Sequence, residues 1–127
     1  ELKGPETAEP VAALLTNACQ NQWYSEQFLI SSFHHDELTR ASANFRRGAL
    51  FGRPAADIIG RSKEMSAFSV NVSLRMISQE LVNLAHHAQL KIYVYTVNDR
   101  RDINRLRNWG VDGVFSDFPD RVMENNP

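Results

Sequence analysis

Residues 91–119 read KIYVYTVNDRRDINRLRNWGVDGVFSDFP, and they spell out a strand, a helix and a second strand with every junction marked. Residues 91–97 are β-branched and aromatic, with apolar side chains close together, which predicts a strand buried on both faces. Asn98 and Asp99 stop it. Asp99 is placed to accept from the first free N–H groups of a helix starting at Arg100, and Asp102 adds negative charge to that helix's positive end. Ile103, Leu106 and Trp109 share one helical face, and Gly110 stands where a left-handed cap is wanted. Residues 111–116 then form a short apolar strand, after which Asp117 is expected to cap a last helix with Pro119 at its first position. Strand, helix, strand in that order predicts a parallel pair joined by a right-handed crossover. The fold class is α/β.

The same pattern extends toward the N-terminus. Residues 1–3 read as the tail of a strand, 6–23 as a helix, 28–33 as a strand, and 36–44 as a helix entered through Asp36 with Leu38 and Ala41 inward. Residues 47–51 suit another strand. Pro54 opens a helix through Ile59, residues 68–72 alternate weakly as a strand, and Ser78 caps a helix over 79–88. Gln89 then stands where a glycine is usual, so that helix is expected to end without the easiest left-handed cap. Each unit takes roughly 20 to 25 residues, as compact βα repeats do. Six parallel strands and no linker predict a single domain over residues 1–127.

Bulk properties exclude several classes. The 127 residues carry a formal charge of −1, which argues against a nucleic-acid footprint. No run of about 18 apolar residues exists, so no membrane span is expected. The single cysteine, Cys19, precludes an internal disulfide and suits a reducing compartment, so a cytoplasmic location is expected. The histidines come as adjacent pairs, His34-His35 and His86-His87, which diverge by about 100° on a helix and do not form a metal pair. No dinucleotide-binding glycine motif, Walker loop, CxxC or serine elbow occurs.

The phrases VYTVND and GVDGVFSD followed by FPD, with Leu29-Ile30-Ser31-Ser32-Phe33 and Glu1-Leu2-Lys3 upstream, resemble the closing strands of the glycerophosphodiester phosphodiesterase family. That family's strands typically read ELK, SSF, V-x-x-W/Y-T-V-N and G-V-D-G-I/V-x-T/S-D-x-P. The four match in order and spacing, so the resemblance covers nearly the whole chain. It implies a TIM-type (β/α) barrel of which this chain holds strands three to eight. Two further strands, in an N-terminal barrel segment or a partner chain, would then be needed for closure.

In such barrels the reacting groups lie at the C-terminal ends of the strands. Those positions here hold Glu1, Lys3, Ser32, Phe33, Phe51, Arg53, Asn71, Tyr95, Asn98 and Asp117. A carboxylate and cations among aromatic walls suit phosphate-ester chemistry. The resemblance implies that Glu1 is a metal ligand, that Lys3 reaches the substrate phosphate, and that Phe33 and Tyr95 wall the pocket. The strand period puts Glu1 and Lys3 toward the interior with Leu2 outward, while an exposed Glu-Lys pair at a terminus is the plain alternative. Phe33 and Tyr95 have core packing as theirs. Asn98 matches a motif asparagine, with substrate binding or a backbone bond at the mouth as its two readings.

The implied substrate is a glycerophosphodiester, hydrolysed to an alcohol and glycerol 3-phosphate with Mg²⁺ or Ca²⁺ as cofactor. The family's His-Arg-Gly, its second catalytic histidine and its Glu-x-Asp have no counterpart in these residues. The chain alone is therefore expected to be inactive. A non-catalytic barrel segment used for ligand binding or assembly, and a lyase that cyclises its substrate, are the alternatives.

Overall fold

The structure, a computed structural model, describes residues 1–124. Five strands lie in one parallel sheet in chain order: β1 (Leu29–Ser32), β2 (Arg46–Phe51), β3 (Ser69–Ser73), β4 (Lys91–Tyr95) and β5 (Gly113–Val114). The helices are α1 (Ala8–Asn21), α2 (His35–Arg40), α3 (Ile58–Glu64), α4 (Gln79–His87), α5 (Arg100–Asn108) and α6 (Pro119–Met123). Consecutive order with right-handed crossovers places the connecting helices on one face and leaves the other as the concave side of a barrel wall.

The register separates the two faces. Ser32, Ala49, Val70 and Ile92 are paired across the sheet, as are Phe51, Val72, Val94 and Val114. These rows pack against Leu38, Met65, Val82, Ala85, Ile103 and Leu106 of the helix layer. The alternate rows hold Ser31, Gly48 and Ser69, then Leu50, Asn71, Tyr93 and Gly113. Strand β4 is thus sealed on one face: Ile92 and Val94 are fully buried, whereas Tyr93 and Tyr95 are half-buried on the concave side. The expectation of burial on both faces fails there, because the helices cover only the outer row.

Five ladder strands replace the six expected. Residues 1–3 run beside β1 but contribute a single backbone bond, from the Leu2 amide to the Ser31 carbonyl at 2.8 Å. One backbone bond does not make a ladder. Leu2 is nonetheless buried in the core, as its outward position predicts.

Helix ends also shift. Helix α1 starts at Ala8, and its first amides are met from another element: Glu37 accepts from the Glu6 and Ala8 N–H groups at 2.9 and 3.1 Å. Helix α2 stops at Arg40 because Ala41 turns extended and Arg47 donates to the Thr39 and Ala41 carbonyls. Pro54 does not open α3. Asp57, left-handed at φ 51°, does so by accepting from the Gly60 amide at 2.8 Å. Ser78, Asp99 and Gly110 (φ 81°) take the capping positions predicted for them. Among the described residues no helix is long and apolar enough to cross a membrane.

Candidate active site

The C-terminal ends of the strands converge on a cleft of ≈ 210 Å³ lined by Glu1, Ser31, Phe33, Leu50, Tyr95, Thr96 and Phe115. Each reaches it for a local reason. Ser31 and Leu50 belong to concave rows, and Phe33 follows β1 where the strand ends. Glu1 is carried there because Leu2 is anchored in the core, which turns its neighbour to the other side of the extended segment.

Tyr95 organises this end of the sheet. Its hydroxyl donates to the Phe51 carbonyl at 2.9 Å, reaching across β3 to the end of β2. Its own carbonyl accepts from the Leu74 amide at 2.8 Å. The Phe33 ring meets the Tyr95 ring edge-on, with centroids 5.9 Å apart. Gly52 fits under both rings: a Cβ there would lie 3.3 Å from Phe33 and 3.7 Å from the Tyr95 hydroxyl. Burial, with a further contribution from the Glu1 carboxylate, raises the Tyr95 phenol above its ordinary value, so the hydroxyl stays protonated.

Of the residues expected at the site, the structure brings Glu1, Phe33 and Tyr95 together. Phe33 is 46% exposed, so core packing is not its role. Lys3 is exposed beside the cleft without being in its lining. Asn98 is engaged within the protein: its Oδ1 accepts from the Asp117 amide at 3.0 Å and the Ser116 hydroxyl at 3.2 Å, and its Nδ2 donates to Asp117 Oδ2 at 2.8 Å. Asp117 is accordingly not the cap of α6. Phe118 occupies that position, where its ring offers no acceptor for a side-chain cap, and the Asp117 carboxylate is turned to Asn98.

Three other strand-end residues are absent from the lining. Ser32 and Phe51 lie in helix-facing rows, Ser32 donating to the Leu2 carbonyl at 2.7 Å. Asn71 is concave but fully buried, accepting from Ser69 at 2.8 Å.

The histidines lie outside the lining. His35 is fixed between the Leu50 carbonyl (2.9 Å from Nε2) and Arg61 (3.2 Å from Nδ1), with its ring against Phe51. His34 faces a larger polar groove of ≈ 570 Å³ above α2, with Asp36, Arg40 and Arg61. Among the described residues no group of three His, Cys, Asp or Glu gathers to hold a metal ion. Glu1 is the one carboxylate in the cleft lining, and a hard divalent cation takes six or more oxygens, so these residues do not by themselves fit such an ion.

Sequence reasoning missed Asp112, which sits at the opposite end of the sheet and accepts from the Ile92 amide (2.9 Å), His86 (2.8 Å) and Lys91 (3.1 Å). Burial would raise its carboxyl, but these three donors outweigh that and hold it below the ordinary aspartate range. It is a brace between α4, β4 and β5.

Comparison with known proteins agrees with this fold. The model of the glycerophosphoryl diester phosphodiesterase family matches residues 5–121. A glycerophosphodiester phosphodiesterase of Bacillus altitudinis is 28% identical over 106 residues, covering 78% of this chain and 42% of the relative. One from Bacillus subtilis (strain 168) is 35% identical over 60 residues, 46% of this chain and 20% of that protein. In fold, the chain is similar to an Oleispira antarctica phosphodiesterase solved in complex with the product sn-glycerol-3-phosphate (TM-score 0.79, 23% identity, 92% of this chain and 49% of that one). A glycerophosphodiester phosphodiesterase from Parabacteroides distasonis aligns with TM-score 0.72 at 17% identity over 98% of this chain and 53% of that one. The chain spans less than half the length of these two curated relatives.

Proposed function

Since the chain belongs to the glycerophosphoryl diester phosphodiesterase family, we propose that it supplies the C-terminal portion of a barrel that hydrolyses glycerophosphodiesters to an alcohol and glycerol 3-phosphate. Residues 1–127 would form one domain of it. The observation that carries the reading is the meeting of Glu1, Phe33 and Tyr95 in one cleft at the C-terminal ends of the strands, where barrel enzymes place their chemistry. Its product matches the sn-glycerol-3-phosphate held by the Oleispira antarctica phosphodiesterase of similar fold.

In this proposal Glu1 contributes one oxygen ligand to Mg²⁺ or Ca²⁺, and the other ligands come from outside these residues. Lys3 neutralises the substrate phosphate from the rim. Phe33 and Tyr95 wall the glycerol side, their crossed rings presenting a rigid apolar surface. Asn98 holds the ends of β4 and β5 together at the mouth. The chain lacks the acid-base pair of the reaction: no histidine lines the cleft, and the nitrogens of His35 are already engaged. A cytoplasmic location is part of the proposal, in keeping with the free Cys19.

The lack of an acid-base pair equally favours a second reading, a barrel segment that binds ligand without hydrolysing it. One experiment separates them. The 127-residue chain and a protein joining it to the residues that complete its barrel are assayed for glycerol 3-phosphate release from glycerophosphodiesters with Mg²⁺ or Ca²⁺. The expected result is no turnover by the chain alone, turnover by the joined protein, and loss of metal-dependent turnover in its E1Q variant. A folded joined protein that releases no glycerol 3-phosphate with either ion sinks the hydrolytic reading.

A further inference from the structure

The two loops beside Tyr95 each carry an arginine with no assigned role. Residues 52 and 53 leave β2 directly after Phe51, whose carbonyl is held by the Tyr95 hydroxyl, and residue 75 follows Leu74, whose amide is held by the Tyr95 carbonyl. Strands β2 and β3 are hydrogen-bonded neighbours with Phe51 opposite Val72, so the two loops emerge side by side. A single residue of the cleft wall therefore pins both arginine-bearing loops at its rim.

The charge pattern separates these arginines from the rest. Most of the chain's lysines and arginines are engaged: Arg40, Lys91, Arg100, Arg101 and Arg105 in ion pairs, and others on carbonyls or aromatic faces. Among the described residues, Lys3, Arg53, Lys63 and Arg75 have no such partner and are exposed. Three of the four stand on loops at the C-terminal end of the sheet; Lys63 lies on the outer helix α3. The acidic residue nearest along the Arg53 loop, Asp57, is turned to the Gly60 amide, and the loop between β3 and α4 holds no acid.

We propose that Arg53 and Arg75 form a second anion subsite that selects glycerophosphodiesters whose retained glycerol carries a further phosphate. This rests on the proposed reading of the cleft as the phosphodiester site. Lys3 then meets the scissile phosphate, and the two guanidiniums meet the second anion beyond Tyr95. Guanidinium groups suit this because they bind oxyanions through two parallel N–H bonds. Both groups are solvent-exposed, so the preference is moderate and weakens with salt.

The test is calorimetric titration of the 127-residue chain, at low and moderate salt, with glycerol 3-phosphate and with a glycerol bisphosphate. The expected result is about tenfold tighter binding of the bisphosphate, a preference that falls to near unity in R53Q/R75Q and is reduced in each single arginine variant, whereas it survives in K63Q, which like each single variant removes one positive charge but from a different surface. Equal affinity for both ligands overturns the subsite, as does no binding of either, or an equal loss in K63Q. Pelleting with phosphatidylglycerol vesicles that requires Arg53 and Arg75 overturns it too, by making the pair a membrane contact. The readout contains no hydrolysis. Arginine-dependent preference without turnover in the joined protein would spare the subsite and remove the enzyme reading, and the reverse outcome would do the opposite.

Discussion

Gln89 holds a left-handed backbone, φ 61°, at the end of α4, with its amide bonded to the His86 carbonyl and the Leu90 amide bonded back to the Ala85 carbonyl. An L-residue in that conformation costs roughly 1–2 kcal/mol, and glycine does not share the cost but loses more entropy on folding. Q89G is therefore expected to stabilise the chain by about 0.5–1 kcal/mol, read as a rise in urea midpoint at unchanged slope. No change would mean that the Gln side chain offsets the strain. The converse holds at Gly110, φ 81°, where G110A should destabilise by about 1 kcal/mol. The departure at Gln89 was legible in the sequence, but its geometry was not: β4 must start at Lys91, so the chain turns left-handed whichever residue is there.

Glu37 belongs to the same scale. The Glu6 amide is the largest influence holding its carboxyl below the ordinary glutamate value of about 4.3; burial opposes it, and the Ala8 amide and Arg40 add to the lowering. A depressed folded value means that the stabilisation is fully present above about pH 4.3 and is lost as pH falls through the lower folded value. Stability measured from pH 6 down to pH 3 should therefore fall less steeply in E37Q than in the parent chain. Parallel slopes would remove Glu37 from the acid response. Glu37 was invisible to sequence reading because the amides it caps lie 31 and 29 positions away.

At the scale of elements, Arg47 decides where two helices stop. Its guanidinium donates to Thr39 and Ala41 at the end of α2 and to Met65 at the end of α3, the last at 3.0 Å. Carbonyls at a helix C-terminus carry partial negative charge and need donors, so one cation serves two helix ends. R47M keeps the length of the side chain and leaves three carbonyls short of a donor. It should destabilise by about 2–3 kcal/mol, with R47K intermediate because an ammonium cannot span all three. Thermal unfolding of the two variants checks the order, and R47K as damaging as R47M would refute it. Element types were legible from apolar spacing and capping residues. The boundaries of α2 and α3 were not, since a residue on β2 sets one and a left-handed Asp57 the other. The site divides likewise: Glu1, Phe33 and Tyr95 follow from strand ends, whereas the locking of Asn98 against Ser116 and Asp117 depends on a segment 18 to 19 residues away, just beyond β5.

At the scale of the molecule, protection should follow position in the sheet. Strands β2 and β3 are paired on both sides, and Val70, Val72, Ile92 and Val94 are fully buried. Strand β5 pairs through two residues, its Val114 is half-buried, and the adjoining Phe115 is 44% exposed. Opening β5 therefore breaks few bonds and exposes little new apolar surface, while opening β3 breaks two ladders and the core beneath them. Amide exchange of the chain should be slowest at Val70, Val72 and Val94 and faster by orders of magnitude at Phe115, whose amide is held by the Val94 carbonyl alone. Uniform protection across the sheet would contradict this gradient. Joining the chain to residues that complete the barrel should raise protection at Phe115 toward that at Val94, because β5 then gains a second neighbour and the concave rows a cover. If protection at Phe115 stays low in a joined protein that hydrolyses substrate, the barrel is closed somewhere other than at β5.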